Sequence, residues 1–125
     1  MSAEASGLFA SQFAMDALAA HIALQPVSPD QVPAIDGAGD PQTGSVVLGQ
    51  FSRHEVGVWE MTVGAMTDIE VDELSIIIAG SGFVERTIDG EQVTQRLQPG
   101  VVIQLRAGEE TLWRVTETLR KVYLI

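Results

Sequence analysis

Cysteine is absent from the 125 residues, which excludes disulfides, thiolate chemistry and cysteine-based zinc sites. Histidine is scarce. His21 and His54 stand far apart, and neither belongs to an HxH or HxxxH pair. Positive charge is also scarce: seven Lys and Arg face seventeen Asp and Glu, for a net charge of -10. No basic residue precedes Arg53. This balance argues against nucleic acid and against anionic membrane surfaces, because both need a basic face. No run approaches the ~20 apolar residues that cross a bilayer. The start Met-Ser-Ala-Glu-Ala-Ser lacks the basic region of a secretory signal, so the expected address is cytoplasmic.

What is present suits one globular domain, with 46% hydrophobic and 19% charged residues. Residues 1–24 form an alanine-rich segment. Phe9, Phe13, Ala17 and Ala20 recur at spacings of three and four, which predicts a helix over part of it. Residues 25–125 read as the main domain. Its entry, residues 25–45, carries Pro26, Pro29, Pro33 and Pro41 among several glycines, and is expected as extended, edge-type chain. From Ser45 onward the periodicity is that of strands. Leu74 to Ala79 and Val101 to Leu105 read as strands buried on both faces. Gly80-Ser81-Gly82 is expected to turn the chain. Asp89-Gly90 is a hairpin signal between Phe83–Ile88 and Gln92–Leu97. Thr111–Thr116 and Leu119–Ile125 complete about eight short strands. The fold class is all-β, a sandwich or single small barrel with a short N-terminal helical segment.

Two glycine-closed runs narrow this further. Glu73-x6-Gly80 and Gly100-x5-Arg106-Ala107-Gly108 resemble the two signature motifs of the cupin barrel, the double-stranded β-helix or jelly roll. The histidine pair of the first motif falls on Thr67 and Ile69, or on Met66 and Asp68. The histidine of the second falls on Thr111, and its asparagine on Val115. Val58-Trp59-Glu60, Gly64, Asp72-Glu73, Gly80, Pro99-Gly100, Ala107-Gly108, Trp113 and the ending Arg120-Lys121-Val122-Tyr123-Leu124-Ile125 resemble the ureidoglycine-aminohydrolase-like cupins, the cupin 3 or DUF861 group. The resemblance implies a barrel lumen that takes a small polar molecule. With Glu73 the one retained ligand position, it implies neither metal nor other cofactor. It also implies a homodimer, with residues 25–45 suited to an exchanged arm.

Glu73 is the candidate catalytic residue, as acid/base or ligand anchor. A carboxylate inside a barrel must find donors, so the alternative is a structural ion pair or network with Arg106, Lys121 or Tyr123. Trp59, Glu60, Ser75, Thr111, Trp113 and Tyr123 are the candidate ligand-binding residues. The last strand points either Lys121 and Tyr123 or Arg120 and Val122 inward. Asp68, Glu70 and Asp72 are expected on a solvated face. Three functions follow: a metal-free binding protein, an aminohydrolase-like enzyme using Glu73, and a structural or regulatory dimer with a filled barrel.

Overall fold

The computed structural model describes residues 14–125. It contains eight strands: β1 (Gln25–Pro26), β2 (Gln42–Phe51), β3 (His54–Met61), β4 (Gly64–Ile69), β5 (Glu73–Ile88), β6 (Glu91–Leu97), β7 (Val102–Leu105) and β8 (Glu110–Leu124). All pairings are antiparallel. Two strands are long, and they organise the rest. The first half of β8 pairs with β4 and its second half with β3. The first part of β5 pairs with β7 and its last part with β6. Since β5 and β8 also pair with each other along their length, they run through both walls of a jelly roll. Among the described residues, no helix is long and apolar enough to cross a membrane.

The entry segment behaves as its prolines require. β1 pairs with the start of β2 at the sheet edge, and Pro29–Gln31 make one turn of 3₁₀ helix. Val27 is buried in the core, which pins the segment to the barrel. The Asp89-Gly90 hairpin also forms as its sequence demands. Both residues take positive φ, 51° and 83°, the pairing a two-residue hairpin turn needs.

The strand count agrees with expectation but the divisions do not. Gly80-Ser81-Gly82 does not reverse the chain; β5 runs straight through it. Instead, the ladder to β8 shifts register between Ile77 and Ala79, between Ala79 and Ser81, and between Ser81 and Gly82. These bulges bend the strand from one wall into the other. Gly80 has φ 85°, and a Cβ there would lie 2.0 Å from the Thr118 carbonyl oxygen, so only glycine fits the bend. Likewise Thr111–Thr116 and Leu119–Ile125 are one strand, bent at the exposed residues Thr116 to Thr118.

The helix expected over part of the N-terminal segment does not extend into its described residues. Phe9 and Phe13 lie outside the described residues. Ala17 lies in a single turn and Ala20 in chain without regular structure. The turn is held from outside: Arg120 Nη1 donates to the carbonyls of Ala17, Leu18 and Ala20, while its Nε pairs with Glu60 at 2.8 Å. An alanine-rich stretch gains little from isolated helix formation. Here its carbonyls meet a guanidinium instead.

Inside the barrel, Met61, Met66, Ile77, Val84, Leu97, Ile103, Leu105, Trp113, Val115 and Leu119 form the apolar core. Set among these apolar groups are the buried polar residues Glu70, Ser75, Thr111 and Lys121.

Candidate functional site

A cavity of about 330 Å³ opens into the barrel interior beside this core. Ser45 of β2, Glu55 and Trp59 of β3, Met66 and Asp68 of β4, Glu73 of β5, and Trp113, Lys121 and Tyr123 of β8 line it, with Glu70 and Ile125. The alternation of β8 places these groups. Thr111, Trp113, Lys121 and Tyr123 are all buried on one face of the strand. The choice left open for the last strand is therefore settled: Lys121 and Tyr123 point inward, and Arg120 points outward to Glu60.

Lys121 is the only lysine in the chain. Its ammonium donates to Glu73 Oε2 at 2.7 Å, and the side chain is only 6% exposed. Nζ also lies 4.7 Å from the ring centroid of Trp59 and 4.6 Å from that of Trp113. Two indole faces offer a buried cation electrostatic compensation that aliphatic walls cannot. The indoles pack against each other with centroids 5.8 Å apart and planes tilted by 52°. Ser75 donates its hydroxyl hydrogen to the same Glu73 oxygen.

A second carboxylate lies deeper. Glu70 is 7% exposed, and its Oε2 accepts from Thr111 Oγ1 at 2.5 Å and from Trp113 Nε1 at 3.0 Å. Burial pushes its pKa above the ordinary value, and the two donated hydrogen bonds oppose that shift. Asp68 is pushed up as well, chiefly by burial, against the backbone N–H of Ile69 and the charge of Lys121. At the mouth, the Tyr123 hydroxyl donates to Glu55 Oε2 at 2.9 Å. Burial, then the bond to Glu55, pushes the phenol up to about 12.

The candidates from sequence separate cleanly. Glu73, Trp59, Trp113 and Tyr123 line the cavity, and Ser75 and Thr111 hydrogen-bond to its carboxylates. Glu60 does not join them. It follows Trp59 by one residue, so it faces the outside of the sheet, where it pairs with Arg120. Arg106 is exposed and does not meet Glu73. The solvated face expected for Asp68, Glu70 and Asp72 is wrong for the first two, and only Asp72 is exposed. The alternation itself was legible, but its phase is inverted: Ile69 is 71% and Val71 54% exposed, while Asp68 and Glu70 turn inward. The reason lies in the partners. Thr111 and Trp113, from the start of β8, supply the donors that make burial of Glu70 tolerable.

The donor set does not fit a transition metal. No imidazole or thiolate lines the cavity, and an ammonium already occupies the carboxylate of Glu73. His54 begins β3 and is exposed. Among the described residues, no three His, Cys, Asp or Glu side chains cluster as a metal site.

Comparison with known proteins gives a consistent picture. The family model described as EutQ-like cupin domain matches residues 48–123. Solved structures share the fold at low identity. The EutQ protein of Clostridium difficile is 20% identical with a TM-score of 0.54, over 80% of this chain and 78% of that one. A DUF861-family protein of unknown function from Pseudomonas syringae is 22% identical with a TM-score of 0.59, over 85% of this chain and 44% of its own. A protein of unknown function from Vibrio parahaemolyticus is 16% identical with a TM-score of 0.55, over 84% of this chain and 98% of its own. No curated protein matches at a significant level.

Proposed function

Because this chain belongs to the EutQ-like cupin domain family, we propose that it binds a small polar molecule in the barrel lumen, without a metal ion. The observation that carries this reading is the cavity of about 330 Å³, walled by two indoles and four carboxylates within an otherwise apolar interior. Polar groups are expensive to bury, and a merely structural barrel fills its lumen with side chains. A cavity of this kind weighs against the filled-barrel alternative and suits a small-molecule site. The metal-free part rests on the donor set: Glu73 remains from the cupin motif, and its partner is the Lys121 ammonium. A thermal-shift screen of ureides, amino acids and sugar acids tests the binding. Elemental analysis of tag-free protein tests the rest, and stoichiometric iron, manganese, nickel or zinc overturns the metal-free reading.

A catalytic version, of the ureidoglycine-aminohydrolase type, has Glu73 as acid/base. It is favoured by the position of Glu73 on the cavity wall, where the Lys121 ammonium and the Ser75 hydroxyl orient its carboxylate. Turnover that survives Glu73→Gln sinks it. The reading includes a cytoplasmic homodimer. Leu74, Val102 and Ile125 leave apolar surface exposed, which suits a contact between copies. A monomeric mass in sedimentation at micromolar concentration refutes the dimer.

A further inference from the structure

Resting on that reading of the lumen, we infer that its ligand is a small organic cation, an ammonium or guanidinium, whose N–H groups are taken by Glu55, Asp68 and Glu70. The lumen is short of donors, not of acceptors. Four carboxylates line it against one ammonium. Each of the four has one oxygen engaged: Glu55 Oε2 by Tyr123, Asp68 Oδ1 by the Ile69 N–H, Glu70 Oε2 by Thr111 and Trp113, and Glu73 Oε2 by Ser75 and Lys121. The second oxygen of each accepts no hydrogen bond from any described residue.

Glu70 makes the sharpest case. It is only 7% exposed, it lines the cavity, and its Oε1 accepts from no described residue. A buried acceptor without a donor costs about 1–3 kcal/mol, and more when charged. Lys121 cannot answer this need, since Glu73 and the two indole faces hold its ammonium. The Tyr123 hydroxyl is likewise committed to Glu55. The upward shifts of Asp68 and Glu70 point the same way, toward a site that gains by taking up positive charge. A bare metal cation does not serve, because among the described residues the acids do not cluster as metal ligands. A guanidinium spreads its charge over a fork of N–H donors and bridges separate carboxylates, and an alkylammonium offers three N–H donors from one nitrogen. The space is roughly that of ten water molecules at ~30 Å³ each, so the cation is small.

The chain carries its own reporters. Both tryptophans and the single tyrosine line this cavity. Titration of ¹⁵N-labelled protein with ethylammonium and methylguanidinium chlorides, beside potassium acetate, urea and magnesium chloride, reads the two indole N–H resonances. The inference expects saturable shifts of both indoles with one or both organic cations. It also expects at least a tenfold loss of affinity in Glu70→Gln and in Glu55→Gln. Glu55 sits at the mouth, so its variant keeps the test open if Glu70→Gln does not fold. Saturable shifts with acetate, urea or magnesium but with neither organic cation overturn the cationic ligand and leave the lumen reading standing. Indoles that no probe perturbs overturn both.

Discussion

Along β8, Val115 and Leu119 face the apolar core, whereas Thr111, Lys121 and Tyr123 on the same face of the same strand meet polar partners. Along β5, Ile77 and Val84 belong to the core, while Glu73 and Ser75 belong to the cavity. The two regions share strands and a pleat, yet they are held together by different physics. In the apolar region each side chain contributes through the area it removes from water, and neighbours of similar volume can substitute for one another. In the polar region the groups are interdependent. Lys121 is tolerable because Glu73 and two indoles surround it, and Glu70 is tolerable because Thr111 and Trp113 donate to it. The lesson is an asymmetry: removing one polar partner costs more than removing both.

That asymmetry can be broken most directly at Lys121. Lys121→Met leaves a nearly buried carboxylate unpaired and is expected to cost about 3–5 kcal/mol in urea unfolding. The double variant Glu73→Leu/Lys121→Met is expected to recover most or all of that loss. A double variant no more stable than the single one contradicts the interdependence. The apolar region gives the control. Leu97 is fully buried, and Leu97→Ala is expected to cost about 2–5 kcal/mol by lost transfer energy and cavity formation. This loss should add to that of Lys121→Met if the regions are energetically independent, and chemical denaturation of the double variant measures it.

The smallest effect is in the pH dependence. The Glu70 pKa is raised in the folded state, so the protonated form is favoured there. Its contribution is therefore fully present below the ordinary value of 4.5 and is lost as pH rises through the folded pKa. Burial drives the shift; Asp68 adds to it, while Thr111, Trp113 and Lys121 oppose it. Thermal unfolding from pH 4 to 7 should show wild type losing ground to Glu70→Gln, and parallel curves remove the case for a raised pKa. At the alkaline end the single tyrosine gives a direct reading. Absorbance at 295 nm should show Tyr123 ionising near 12 in the folded protein, above the ordinary 10.

Composition and short-range pattern set the menu of chemistry and the local geometry. Without cysteine, and with two separated histidines, thiolate chemistry and a paired-histidine site were excluded from the start. The strand periodicity, the Asp89-Gly90 hairpin and the proline-rich edge segment were legible because each depends on residues a few positions apart. Which face of each strand looks inward follows from long-range packing. β5 changes phase across its bulges, burying Ser75 and Ile77 on one side of the bend and Gly82, Val84 and Arg86 on the other. A pattern of period two cannot reveal such a slip. The inward turn of Lys121 and Tyr123, the exclusion of Glu60 and the burial of Glu70 all depend on partners roughly 40 to 70 positions away. Whether an acid can be buried is settled by donors brought from another strand, and no local run of residues carries that information.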